Sequence, residues 1–415
     1  MEKGIIVGLN INHHKEFDKS MKELVSLAHA CNIEIVSEIT QNKDKPTIQY
    51  YIGKGKLEEI KYEIESLEPD LVIFDNELSP SQIRNLEKEL EIKVIDRTVL
   101  ILDIFARRAK TTEAKLQVEL AQSEYMLPRV IGMYQSLSRQ KSGTGSKGPG
   151  EQKLELDRRL LREKVTQLKK ELKGIVDIRR NQRKNRQSGH IPVVSLIGYT
   201  NSGKSTLMNT FIDLSKNSST EHVFKKDMLF ATLETKTTRV SISDSINFLL
   251  TDTVGFIKKL PHHLIEAFKS TLEEINEADL LLHVIDISNP DYQSQITAVN
   301  EVIKEINANE IPIIHVFNKI DLIEMIPYVE YPNSVFISAE RKDHIDKLID
   351  KINQELEKNS KLVDLLIPYN KGDLFHSLKT SKTIIQSEYQ ENGIFLQVKL
   401  TPYDIEKFQS YILKK

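Results

Sequence analysis

Two rhythms of apolar and polar positions alternate along this chain, and the places where they change divide it into parts. Short apolar runs at Ile5 to Leu9, Ile33 to Ile39, Leu71 to Asp75 and Lys93 to Ile95 read as strands. Between them, residues 18–30, 55–66 and 79–90 carry apolar positions three and four apart, the spacing of an amphipathic helix. Strands taken in turn with helices predict a small parallel α/β unit, because parallel strands need crossover connections. Residues 97–127 predict one long helical stretch, and the glycine-rich segment 142–150 cannot continue it. Helical spacing resumes after it, with Leu154, Leu161, Val165, Leu168 and Leu172 near one face, which predicts a helical hairpin. From Val193 to Ile197 onward the strand rhythm returns, at Ile246 to Leu250, Ile313 to Phe317 and Ser334 to Ile337. The last fifty or so residues read as helix then strand over 373–386, strand over 393–400 and helix over 402–412, a small α+β appendage.

Chemistry enters directly after the strand at 193–197. Gly198-Tyr199-Thr200-Asn201-Ser202-Gly203-Lys204-Ser205-Thr206 fits G-x-x-x-x-G-K-[ST] between a strand and a helix start. Such a turn wraps phosphates with backbone N–H groups, and the helix N-terminus adds its partial positive charge. Lys204 is expected at the β/γ-phosphates and the Ser205 hydroxyl on Mg²⁺. Asp252-Thr253-Val254-Gly255 follows a strand, placing Asp252 at Mg²⁺ and the Gly255 N–H at the γ-phosphate. Thr232, near Phe230 in Phe230-Ala231-Thr232-Leu233-Glu234, is the expected third Mg²⁺ ligand, with Thr237 and Thr238 as alternatives. Lys204, Thr232 and Gly255 are then the expected catalytic groups.

The base is expected to be guanine. Asn318-Lys319-Ile320-Asp321 ends a buried-strand pattern, and the Asp321 carboxylate can accept from both N1–H and the exocyclic amine of guanine. Adenine lacks that donor pair, and unmatched buried polar groups cost enough to enforce the choice. Asn318 is expected to tether neighbouring loops, with the Lys319 stem over the ring. In Ser338-Ala339-Glu340 the Ala339 N–H is expected at guanine O6, although many guanine-nucleotide domains carry Lys where Glu340 stands. Position 256, after the Asp-x-x-Gly turn, often holds a glutamine that orients the attacking water. Phe256 stands there instead, so slow intrinsic hydrolysis is expected. Asn201 either coordinates K⁺ near the transferring phosphoryl group or braces the turn.

Composition changes the picture little. Formal net charge is −2, so the whole-chain charge selects no partner. One cysteine, Cys31, excludes an internal disulfide framework, and no signal peptide or membrane-spanning run is visible, so a cytoplasmic, monomeric protein is expected. The pairs His13-His14 and His262-His263 lack further ligands at metal spacing and read as surface histidines. Gly53-Lys54-Gly55-Lys56 reads as a basic turn capping a helix, with anion binding as the alternative. Locally, however, residues 158–187 hold 12 Lys/Arg against 3 Asp/Glu. That imbalance points to a phosphate backbone, with Lys147, Arg158, Arg159, Arg162, Arg179, Arg180 and Arg183 as candidate RNA contacts. No aromatic residue interrupts the stripe, which argues against stacking on single strands.

Several stretches together resemble the HflX-type translational GTPases. They are Tyr51-Ile52-Gly53-Lys54-Gly55-Lys56, Arg97-Thr98-Val99-Leu100-Ile101-Leu102-Asp103-Ile104-Phe105, and Gly148-Pro149-Gly150-Glu151 followed by Leu154-Glu155-Leu156-Asp157-Arg158-Arg159. The phosphate loop, Leu229-Phe230-Ala231-Thr232-Leu233 and the segment from Leu260-Pro261 to Glu274 are similar too. The resemblance implies GTP hydrolysis, binding to the large ribosomal subunit and its rRNA, and splitting of stalled or idle ribosomes. It gives the loop at 142–150 a target in the peptidyl-transferase region. Thr235, His263 and Ser142 depart from the family's Pro, Asp and Gly. The expected fold class is α/β: an N-terminal parallel α/β domain (1–110), a helical hairpin (111–190), a P-loop GTPase domain (191–360) and a small α+β domain (361–415). A GTP-timed RNA-remodelling factor and a protein-binding GTPase adaptor are the alternatives.

Overall fold

The computed structural model describes residues 1–12, 16–139, 149–186, 191–215, 236–242, 247–253, 255–256, 273–327, 331–358, 360–382, 384–400, 404–405 and 408–413. They form two compact units, one essentially residues 1–178 and the other essentially 179–415. No helix among them is long and apolar enough to cross a membrane.

The first unit opens with β1 (Glu2–Ile11), α1 (Phe17–Ala30), β2 (Ile33–Lys43), α2 (Lys54–Leu67), β3 (Leu71–Phe74), α3 (Pro80–Leu90) and β4 (Lys93–Asp96). The four strands form one parallel sheet in the order β2-β1-β3-β4. Local sequence explains the helix starts. Ser79 and Gln82 form a reciprocal capping box with Pro80 in the first turn, so orphan N–H groups at the start of α3 are satisfied. Asp96 closes β4 and caps α4 (Arg97–Arg108), accepting from Val99 N at 3.1 Å.

The single helix expected over 97–127 is instead two. The chain is extended at Ala109, and the Thr111 hydroxyl accepts from Ala114 N at 3.2 Å, starting α5 (Thr112–Arg139). This cap is a local hydrogen bond that apolar periodicity does not register. α5 also runs past Pro128, which removes only one N–H from the helix. α6 (Pro149–Arg186) packs on α5 through Leu116, Leu120, Val165, Leu168 and Leu172. Two cross-helix ion pairs flank that seam, Lys164–Glu119 and Lys169–Glu124, both 2.7 Å. Of the residues expected on the seam, Leu161 is half-buried and the Leu154 side chain lies outside the described residues.

The second unit holds β5 (Val193–Ile197), α7 (Lys204–Leu214), β6 (Lys236–Ser241), β7 (Asn247–Asp252), β8 (Leu280–Asp286), α8 (Tyr292–Glu305), β9 (Ile313–Asn318), β10 (Ser334–Phe336) and α9 (Ile345–Lys358). Its six strands run in the order β10-β9-β8-β5-β7-β6, parallel except for β6 against β7. Parallel strands buried on both faces are nearly continuously apolar, and Leu280 to Ile285 is so except for the buried His283. On one face Val194, Leu196, Leu282 and Val284 meet Leu207 and Phe211 of α7 and Ile345, Leu348, Ile349 and Ile352 of α9. The other face carries Ile285 and Phe317 beneath Ile296 of α8. Each such fully buried side chain contributes about 1.5–3 kcal/mol.

A three-stranded antiparallel sheet follows, in the order β11-β13-β12, made of β11 (Lys361–Ile367), β12 (Ile384–Gln390) and β13 (Gly393–Leu400), with α10 (Gly372–Ser381) on one face. Of the helix expected over 402–412, residues 404–405 are helical, whereas Phe408 lies in a turn and Gln409–Tyr411 in a 3-10 turn, so the helix does not reach 412. Leu413 N then donates to Asp364 O at 2.9 Å, so the chain end pairs with β11 rather than extending a helix.

Candidate functional site

The phosphate loop leaves β5 at Ile197 and enters α7 at Lys204, and its two glycines are forced. Gly198 (φ +146°) and Gly203 (φ +96°) adopt backbone that side chains rarely tolerate. A Cβ on Gly198 would strike the Val284 carbonyl, and one on Gly203 the Asn318 amide. The loop is therefore wedged against the ends of β8 and β9. Asn201 is also left-handed (φ 62°), a conformation asparagine takes more readily than most residues. Its side chain is exposed.

Lys204 is 6% exposed, and its Nζ donates to the Gly198 and Tyr199 carbonyls at 3.0 and 2.8 Å. Burial lowers its pKa to about 8, opposed by the Asp252 charge. Two further loop hydroxyls, Thr200 Oγ1 and Ser202 Oγ, are buried without a hydrogen-bond partner among the described residues. Buried polar atoms are nearly always paired, so these fit a ligand with acceptor oxygens. Ser205 Oγ donates to Asp252 Oδ2 at 2.9 Å. A hydroxyl and a carboxylate side by side at the cradle suit Mg²⁺, which takes few protein oxygens and completes its shell with water and phosphate. Among the described residues no cluster of three or more His, Cys, Asp or Glu offers a competing metal site.

After β7 the chain crosses back to the loop. Thr253 Oγ1 donates to Leu196 O at 2.6 Å. Phe256 N donates to Gly198 O at 3.1 Å, and Thr200 N to Phe256 O at 2.8 Å, a parallel bridge between the two segments. Gly255 faces the cradle so closely that a Cβ would lie 3.0 Å from Lys204 Nζ. The Phe256 ring is buried.

The residues expected to read the base gather from β9 and the loop after β10. Asn318 Nδ2 donates to Ser202 O and its Oδ1 accepts from Ala339 N, both at 2.9 Å. The tether expected of Asn318 is present. The Ala339 N–H, expected at guanine O6, is here turned to Asn318. Lys319 is left-handed (φ 68°), and its Nζ lies 2.7 Å from Asp286 Oδ2 at the end of β8. Asp321 sits with Arg341 Nε 3.9 Å away. Ser338 Oγ accepts from Arg341 N at 3.1 Å, and Glu340 is exposed. Thr206 lies in the first turn of α7.

Not every expected residue can be placed. Phe230, Thr232, Lys147 and most of the loop at 142–150 lie outside the described residues, as do His13-His14 and His262-His263. Thr237 and Thr238, the alternatives to Thr232, are in mid-strand on β6, and the Thr237 and Thr251 hydroxyls are bonded at 3.0 Å. On α6, Arg158 is half-buried, Arg159 pairs with Glu163 at 2.9 Å, and Arg162 is exposed; Arg179, Arg180 and Arg183 lie on the same helix. Sequence reading passed over Asp286 and Thr210. Thr210 Oγ1 donates to Ala339 O at 2.9 Å, tying α7 to the base loop. A carboxylate ending the buried run of β8, beside the strand that ends in Asn318-Lys319, was the available signal for Asp286.

Comparison with known proteins agrees with this geometry. Residues 18–106 match the family model described as GTP-binding GTPase N-terminal, 108–186 the GTP-binding GTPase middle region, and 193–319 the 50S ribosome-binding GTPase. GTPase HflX of Caldanaerobacter subterraneus subsp. tengcongensis is 42% identical over 99% of this chain and 94% of its own length. GTPase HflX of Escherichia coli K12 is 40% identical over 97% of this chain and 94% of its own. A solved GTP-binding protein from Sulfolobus solfataricus in complex with GDP is 25% identical over 86% of this chain and 99% of its own, with a TM-score of 0.46, a looser likeness. With near-full-length identity of this order and a P-loop GTPase sheet behind the site, the chain belongs to the HflX family of GTP-binding GTPases.

Proposed function

We propose that this GTPase is a switch that binds the large ribosomal subunit in its GTP form and splits or rescues stalled or idle ribosomes. Phe256 carries the reading. Its ring is buried and its backbone is bound to the phosphate loop, so position 256 presents no group to the attacking water. Hydrolysis by this chain alone is then slow, and a partner supplies what is missing. The family model over 193–319, described as a 50S ribosome-binding GTPase, supports the ribosome as that partner.

In this reading the working parts are 1–110, 111–190, 191–360 and 361–415. Lys204 and the amides of 198–206 hold the β- and γ-phosphates, Asp321 reads guanine, and Ser205 and Asp252, joined by Thr232, hold Mg²⁺. Bound Mg²⁺ neutralises charge on the phosphate oxygens. Gly255 N–H meets the γ-phosphate, and loss of that phosphate releases the segments at 225–240 and 252–265. Asn201, exposed in the phosphate loop, offers its amide oxygen to K⁺ beside the same phosphate. Lys147, Arg158, Arg159, Arg162, Arg179, Arg180 and Arg183 meet rRNA phosphates, and the protein acts as a cytoplasmic monomer.

GTP turnover measured with and without purified large ribosomal subunits tests the proposal. Stimulation by about tenfold or more, weakened at raised salt as counterion release requires, is expected. Tight GTP binding with no stimulation overturns the ribosome reading and favours a protein adaptor or an RNA-remodelling factor.

A further inference from the structure

The lysine of the base-reading loop is not free to choose its direction. Lysine has a flexible four-carbon stem, and a stem that samples many rotamers is a poor platform for a flat ring. Two features restrict Lys319. Its backbone is left-handed (φ 68°), which sets the direction in which the side chain leaves the loop. Its ammonium is held by Asp286 Oδ2 at 2.7 Å, with both side chains largely buried.

Asp286 is itself held on three sides. Its Oδ1 accepts from Ser288 N at 3.1 Å and from Ser288 Oγ at 2.5 Å, closing the turn after β8. It lies opposite Asn318 in the parallel register of β8 and β9. The next residue, Ile287, donates its N–H to Asn318 O at 3.1 Å. The carboxylate thus belongs to the strand ends that also carry Asn318, whose side chain reaches the phosphate loop. A charged group in this position does more than balance charge. It holds the ammonium at the end of β8 and so restricts the course of the stem.

We propose that Asp286 is a positioning residue for guanine binding, acting through Lys319. The inference rests on the nucleotide site argued above and adds to it a residue that does not touch the nucleotide. Its effect falls on the base side of the site. Affinity for GDP and for GTP falls together, and turnover at saturating GTP is unchanged.

The test is a double-mutant cycle on the full chain, reading the GDP dissociation constant and the KM and kcat of GTP hydrolysis. Asp286→Asn is expected to weaken GDP and raise KM by about tenfold, with kcat kept, as loss of one charge-assisted hydrogen bond implies. Lys319→Met, which keeps an apolar stem without the ammonium, should make a later Asp286→Asn change silent. Should Asp286→Asn misfold, Asp286→Glu carries the same cycle with a smaller expected change, about threefold. A loss of affinity that persists undiminished in the Lys319→Met background overturns the proposal, because Asp286 would then act on the fold and not through the lysine. So does an unchanged KM. Failure of the parent chain to bind GDP would instead sink the site assignment itself, and the two failures are separable.

Discussion

The two parallel sheets of this protein treat the polar groups at their strand ends in opposite ways. In the amino-terminal sheet, charges close on one another. Arg97 is buried between Asp75, at 2.6 Å, and Glu23, while Ser20 Oγ donates to Asp75 at 2.8 Å. Asp96 accepts from Leu78 N at 3.1 Å and from Arg129 of α5 at 3.3 Å. In the GTPase sheet the corresponding edge is left open. Lys204 rests on its own loop's carbonyls, the Thr200 and Ser202 hydroxyls have no partner among the described residues, and glycines keep the cradle clear. Ligands of open α/β sheets bind beyond the carboxyl ends of the strands. Shared architecture therefore does not make both edges binding sites. At the amino-terminal edge the charges pair with one another, although Asn76 Oδ1 and Arg129 Nε have no hydrogen bond among the described residues. What sets the GTPase edge apart is its glycine-lined loop with a buried lysine and two buried hydroxyls.

The largest effect should come from breaking the amino-terminal charge pairs. Arg97→Ala leaves Asp75 buried without its cation and is expected to cost about 3–5 kcal/mol of stability, read by denaturant unfolding. GTP affinity should hold wherever the protein is still folded; a loss of only nucleotide binding would put a ligand site at this edge and erase the contrast. Opening the other edge further works in reverse. Lys204→Ala should lower GTP affinity by about 100-fold or more with stability nearly unchanged, by calorimetric titration and thermal unfolding. Normal affinity in that variant would refute the cradle.

Acid sharpens the comparison at a smaller scale. His283, on β8, is 1% exposed with Nδ1 unpartnered, and burial, then His315, then Lys204 push its pKa down to about 3. The unfolded chain, with an ordinary histidine near 6.5, binds a proton that the folded one refuses. Stability attributable to His283 is therefore full above about pH 6.5 and falls as pH drops toward 3, by roughly 2 kcal/mol at pH 5. His283→Leu should flatten that part of the pH profile; an unchanged slope would show that other groups carry it. Smallest in free energy, Asp321→Asn should move base preference from guanine toward xanthine by roughly tenfold, since the xanthine C2 oxygen needs a donor. Competition between GDP and XDP reads it, and retained guanine preference would reassign the base contact.

Much of the site was legible because its chemistry is local. Gly198 to Thr206 specify a turn of known backbone demands, and the structure shows why each glycine is needed. Asn318 to Asp321 and Ser338 to Glu340 could be read from their places after buried strands. What could not be read were contacts between segments distant in sequence. Asp286 meets Lys319 across 33 positions, and Thr210 meets Ala339 across 129. The break at Ala109 was missed for another reason. It depends on one hydroxyl cap, which helical spacing does not register.

By itself the sequence determined many of the element types, the phosphate loop, the choice of base and the family, because strand and helix periods, turn glycines and short motifs act over a few residues. Tertiary structure decided which polar groups are satisfied. Ala339 N–H turned to Asn318, Phe256 bridged to the phosphate loop, and Arg97 locked between carboxylates all follow from which strand ends are brought together, and sheet order is a long-range property of packing.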